Sequence, residues 1–172
     1  MNAARWIWVP VAAISTSVYA TVYLSAEQAQ QTIFPGGVFT EETIALTDAQ
    51  AREIARRAGI AVTRKSLPVW KEQGGGLFLV DQVIGKHDYI TYALGLNPDG
   101  SVKQLEIMEY RESYGYEVRN PRWRAQFAGK TAASPLRLDD DIRNISGATL
   151  SCRHVAEGVK RMLALYDVAL RK

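Results

Sequence analysis

The sequence predicts an α+β fold, a twisted antiparallel sheet with flanking helices, preceded by a membrane anchor or signal segment. Three observations carry that prediction. The chain closes on a helical period, its middle holds two strand-forming runs that meet at an Asn-Pro-Asp-Gly turn, and it opens on an uncharged stretch. With 172 residues, 47% of them apolar, it suits one cored domain plus a short extra segment.

The uncharged stretch comes first. Arg5 is followed by no charged residue from Trp6 to Ala26, and roughly 20 apolar residues are enough to cross a bilayer. Residues 1–26 therefore read as a signal peptide, with candidate cleavage after Ala20 or Ala26, or as an uncleaved anchor. Either way Arg5 stays inside, and the rest of the protein lies on the extracytoplasmic (periplasmic) side, anchored to the inner membrane or secreted. Residues 27–46 read as a polar linker, and residues 47–172 as the folded domain.

Within that domain, "TDAQAREIARRAGI" is a helix with Thr47 as N-cap, Gln50 closing a capping box and Gly59 as the stop. Its apolar face is Ala51, Ile54, Ala55 and Ala58. "LFLVDQVIG" is a strand behind the Gly74-Gly75-Gly76 turn. Two further strands flank Asn97-Pro98-Asp99-Gly100, with Ile90, Tyr92, Leu94 and Leu96 alternating onto one face of the first. In the second, Leu105 and Ile107 share a face, while Val102, Met108 and Tyr110 fall partly on the other. About thirty irregular residues follow, with a short helix starting at Pro121; loops of that length in a compact domain are usually functional. The last helix carries Val155, Val159, Met162, Leu163, Tyr166 and Leu170 inward, with Lys160, Arg161, Arg171 and Lys172 on the outer face and the C-terminal end.

Several function classes are disfavoured. The charge of +3 comes from 21 basic and 18 acidic residues without a basic run, so nucleic-acid binding is not expected. A single cysteine, Cys152, allows no internal disulfide and no CxxC motif. Cys152 and His154 point apart on a helix and make no nucleophile–base pair. Asp139-Asp140-Asp141 lacks the alternation and glycine of a calcium loop.

The remaining signal is Ser146-Gly147-Ala148-Thr149-Leu150-Ser151, small residues and hydroxyls ahead of the last helix. Free backbone N–H groups, a positive helix end and unobstructed approach are the parts of a phosphate site. The plainer reading is that Ser146 or Ser151 caps the helix and Gly147 makes the turn.

"ISGATLS" resembles the signature of the FMN-binding domain family, found in flavin-carrying subunits of the sodium-translocating NADH:quinone reductase and of the related ferredoxin:NAD complexes. "RESYGYEV" resembles that family's Glu-Thr-Pro-Gly-Leu-Gly stretch with Glu112 and Gly115 in register, and "AQFAGK" its Phe-x-Gly-Lys stretch. The three occur in the family's order and cover roughly residues 75 to 168. The chain departs from the pattern at Arg143, where an acidic residue is usual, and at Tyr114 and Tyr116, which replace Pro and Leu.

The resemblance implies FMN joined covalently to Thr149 by a phosphoester, installed by a flavin transferase that uses FAD. Ser146, Ser151 and the first helical N–H groups would hold the phosphate. Tyr114, Tyr116, Trp123 and Phe127 are candidates for the wall beside the ring, with Lys130 pairing with phosphate or the reduced ring and Glu112 accepting from a ring or ribityl donor. The function implied is electron transfer between a membrane-bound redox partner and an acceptor, by a redox carrier rather than a turnover enzyme. The alternative is a membrane-anchored module that binds FMN or another phosphate ligand non-covalently, for sensing or delivery.

Overall fold

A computed structural model describes residues 21–112 and 114–171. Most of the expected anchor or signal segment, residues 1–20, lies outside the described residues. Among the described residues no helix is long and apolar enough to cross a membrane.

The fold is α+β, built on one antiparallel sheet. Its strands are β1 (Thr21–Val22), β2 (Phe39–Ala45), β3 (Ser66–Glu72), β4 (Leu77–Ile84), β5 (Tyr89–Leu96) and β6 (Val102–Tyr110), in the spatial order β1-β6-β5-β4-β3-β2. Four α-helices flank it: α1 (Ala26–Ile33), α2 (Asp48–Ala58), the single turn α3 (Pro121–Arg124) and α4 (Thr149–Leu165), which runs on into a π-helical turn over Tyr166–Leu170.

Both faces of the sheet are covered. On one, Ile90, Tyr92, Leu94 and Leu96 of β5 are fully buried with Leu105 and Ile107 of β6, under Ile54 of α2 and Val155, Val159 and Leu163 of α4. On the other, Ala29, Ile33 and Phe34 from α1 meet Phe78, Ala93 and Met108. Each such aliphatic or aromatic side chain contributes about 1.5–3 kcal/mol on burial. At Gly158 of α4 a β-carbon would lie 2.6 Å from the Tyr92 hydroxyl, so glycine sets how closely the helix approaches the sheet.

The α2 capping box and the left-handed Gly59 stop form as expected, as do the hairpin and its turn. The broken alternation in β6 has a physical cause. Register shifts beside Thr91/Tyr92 and Gly95/Leu96 leave Met108 and Lys103 without a direct partner on β5. Each bulge changes the parity of the strand, so Val102 and Tyr110 rejoin the α4-side core while Met108 turns to α1.

Two expectations are corrected. Residues 27–46 are not a linker: they hold most of α1 and all of β2, which pairs with β3 along its whole length. The helix was hidden by its polarity, since only Ala29 and Ile33 of it are buried. Its start is nevertheless fixed by a Ser25–Gln28 capping box. β2 is an edge strand with mostly exposed side chains, so it carries little apolar alternation. Arg161 is the second correction. It does not face solvent but is 5% exposed, with its guanidinium on Asp81 (Nη2–Oδ2 2.6 Å) and on the carbonyls of Gln82 and Ala61. The Tyr92 hydroxyl donates to the same carboxylate at 2.8 Å.

Candidate functional site at the start of α4

The long segment between β6 and α4 is irregular but firmly tied. Val102 N–H donates to the Lys130 carbonyl and Gly129 N–H to the Val102 carbonyl, both at 2.8 Å. Asp141 gathers the rest: its carboxylate accepts from Lys130 Nζ (2.9 Å) and from the backbone N–H groups of Arg137 (2.8 Å) and Leu136 (3.2 Å). Burial pushes the Asp141 carboxyl up, but the Lys130 ammonium and these N–H groups outweigh that and hold it below its ordinary value.

This scaffold delivers the chain to α4 through residue 143. The Arg143 backbone N–H donates to Gln126 Oε1 (2.8 Å) and its carbonyl accepts from Trp123 Nε1 (2.7 Å), while its side chain points outward. Gly147 then takes a left-handed conformation (φ 86°), and α4 begins. Ala148 is the N-cap and supplies no side-chain cap. Neither Ser146 nor Ser151 caps the helix. Ser146 is exposed, and the buried Ser151 hydroxyl bonds to the Tyr110 hydroxyl at 2.8 Å. The first backbone bond closing α4 runs from Cys152 N–H to the Ala148 carbonyl (2.9 Å). The N–H groups of Thr149, Leu150 and Ser151 are thus left as the open donors that a helix start presents.

In front of them lies a cavity of about 340 Å³, within the range of about 300–1,000 Å³ usual for small-ligand sites. One wall is Gly147, Ala148, Thr149, Leu150 and Ser151; the other is Lys86, His87, Glu112 and Tyr114. Thr149 is the first residue of α4, and its Oγ1 accepts from Asn144 Nδ2 at 3.0 Å.

Glu112 holds the opposite wall in place through one of its carboxylate oxygens. Its Oε1 accepts from the backbone N–H groups of His87 and of Asp88, the latter at 2.9 Å, in the turn between β4 and β5. Burial raises its carboxyl, and the N–H groups of Asp88, His87 and Lys86 more than reverse this, keeping it below the usual carboxylate value. Gly115 is fixed twice over. Its φ is 89°, and a β-carbon there would lie 2.6 Å from both Ser151 Oγ and the Tyr110 hydroxyl. Burial pushes the Tyr110 phenol up, so the hydroxyl stays protonated and donates to the Tyr114 carbonyl.

Of the residues expected at the site, Thr149, Gly147, Ala148, Leu150, Ser151, Glu112 and Tyr114 meet at the cavity, and Gly115 packs directly behind it. Ser146 and Tyr116 are exposed outside its lining. Trp123 and Phe127 lie in the core, packed edge to face with centroids 5.1 Å apart. Lys130 is committed to Asp141. Trp123 and Lys130 fix the loop that leads into α4, through the Arg143 carbonyl and the Asp141 carboxylate, and Phe127 packs behind Trp123. Lys86, His87 and Asn144 are added by the structure. Lys86 and His87 sit in a turn whose place beside α4 depends on long-range strand pairing, and no local pattern in the sequence announces it.

Cys152 is fully buried, and burial pushes its thiol up. The His154 Nδ1 lies 3.1 Å from the Gly85 carbonyl and not on Cys152. Among the described residues, no group of three or more His, Cys, Asp or Glu is placed to hold a metal ion.

An α+β sheet with open helix N–H donors, a hydroxyl and a lysine around one cavity defines a small-ligand domain suited to a phosphate group. Residues 85–164 match the model of the FMN-binding domain family, and this stretch contains every residue of the cavity wall. No curated protein matches the chain.

Proposed function

We propose that FMN is joined to Thr149 through a phosphoester and that the protein is an extracytoplasmic electron carrier. It would pass electrons from a membrane-bound donor to an acceptor, after maturation by a flavin transferase with FAD as donor. The observation that carries this reading is the position of Thr149. Its hydroxyl stands at the first residue of an α4 that has no side-chain cap, on a cavity whose opposite wall brings Lys86.

The donor set fits the group. The N–H groups of Thr149, Leu150 and Ser151 and the Lys86 ammonium would hold phosphate oxygens, and Gly147 has nothing within 4 Å of its would-be β-carbon to obstruct them. Leu150 and Tyr114, 42% and 83% exposed, border the cavity and offer apolar contact to a ring. Bound FMN supplies the one- or two-electron chemistry, and the protein's part is to hold and orient it. The extracytoplasmic location is supported by the uncharged run behind Arg5. Of the two candidate cleavage positions, only the one after Ala20 leaves β1 and the Ser25 cap of α1 intact.

Co-expression with a flavin transferase tests the reading. The expected product fluoresces in a denaturing gel and has an intact mass raised by FMN minus water, and Thr149→Ala lacks both while still folding cooperatively, with a stability loss of at most about 1–3 kcal/mol from the unpaired Asn144 amide. A wild-type protein that retains yellow colour only until denatured would establish the non-covalent alternative instead.

A further inference from the structure

We propose that Asn144 is a positioning residue for flavin attachment: its amide donates to the Thr149 oxygen that forms the ester bond. The inference rests on Thr149 being the attachment site. Two observations carry it. Asn144 Nδ2 lies 3.0 Å from Thr149 Oγ1. At its other end, Asn144 Oδ1 is buried and has no hydrogen-bond partner among the described residues.

A buried acceptor left unpaired is unfavourable. Turning the amide over does not remove the problem, since the NH2 group would then take the unpaired position. An aliphatic side chain of similar size would avoid the penalty altogether. The one hydrogen bond that the Asn144 side chain makes among the described residues, to the Thr149 hydroxyl, therefore accounts for an amide at this position. The two groups are held on one short span of backbone. Residue 143 is pinned at both its N–H and its carbonyl, and Ala148 N–H closes back on the Ile145 carbonyl at 3.0 Å.

The direction of the hydrogen bond matters for the chemistry. A hydroxyl oxygen has two lone pairs and one hydrogen. With Asn144 on one lone pair, the second remains free to attack, and the hydrogen is not tied to an acceptor among the described residues. In the transfer, the Thr149 Oγ1–P bond forms, the P–O bond of the FAD pyrophosphate breaks, AMP leaves, and the hydroxyl proton passes to a base of the transferase. The ester oxygen that results can only accept. An N–H donor suits the oxygen before and after the reaction, whereas a carboxylate at the same position would suit only the hydroxyl and would repel the phosphate.

The experiment uses the full chain, FAD and a purified flavin transferase, following adduct formation by intact mass for wild type, Asn144→Asp and Asn144→Leu. Thermal melts are recorded for each, with the 31P resonance of the ester. The expected result is attachment slowed about tenfold or more in Asn144→Asp and several-fold in Asn144→Leu. The Leu variant should melt at or above the wild-type temperature and show a shifted 31P resonance, a combination that a purely structural role does not give. Wild-type rates and resonance in both variants, or slowing that only follows loss of stability, would overturn the inference and leave the Thr149 reading intact. Absence of adduct from wild type would overturn both.

Discussion

Two of the cavities along α4 use polar groups in opposite ways. The larger, about 420 Å³, opens beside Asp81 and Arg161; the smaller, about 340 Å³, opens at Thr149. Behind the larger one, charge is consumed internally. Arg161 donates to Asp81 and to two carbonyls, and Tyr92 completes the carboxylate. Burial pushes the Tyr92 phenol well up, with the Asp81 charge adding to it; burial opposes the Arg161 charge, but the attraction of Asp81 prevails and raises its pKa. At the smaller cavity the helix donors have no side-chain cap. Volume is therefore a poor guide to function here; uncommitted donors are the better one.

The comparison breaks most severely at the buried pair. Arg161→Met leaves the Asp81 carboxylate buried without its counter-charge, and denaturant titration should show a loss of about 3–5 kcal/mol. Adding Asp81→Asn to that variant should recover much of it, because the charge is gone and Tyr92 keeps an acceptor. Next comes a pair of glycines that share a backbone conformation but not an environment. Gly115→Ala should cost about 2–4 kcal/mol, combining left-handed strain with a clash against Ser151 and Tyr110. Gly147→Ala meets open space and should cost only the strain, about 1–2 kcal/mol.

The smallest effect is on pH dependence. The folded Glu112 carboxyl lies below its ordinary value of 4.5. The stability it contributes is complete above the unfolded pKa and is lost as pH falls through the folded one. Wild type should therefore lose more stability than Glu112→Gln between about pH 5 and about pH 3, measured by parallel melts.

What the sequence makes legible follows the range of the interactions. The α2 cap, the Gly100 turn and the α4 period are set by neighbours three or four residues apart, and they form where expected. From small residues and hydroxyls alone the SGAT run reads as a plain helix cap as readily as a phosphate site; the resemblance to the FMN-binding domain family tips it towards the second, and the absence of a side-chain cap on α4 removes the first. Helix α1 and strand β2 escape because their apolar positions are few and their burial depends on the sheet they join. Arg161 and Lys130 escape for a related reason: a long cation looks solvated until its partner, 80 residues away at Asp81 or 11 away at Asp141, is known. Trp123 and Phe127 mark the core rather than the ligand, since aromatic side chains serve both purposes with the same composition.

The shortest strand has a mechanical consequence. Thr21 pairs with Tyr110, and the Tyr110 hydroxyl touches Ser151 in the first turn of α4. The two residues of β1 are therefore coupled to the start of α4 through one side chain, and a change that frees Thr21 and Val22 from β6 should be felt at Ser151 as well as at the sheet edge.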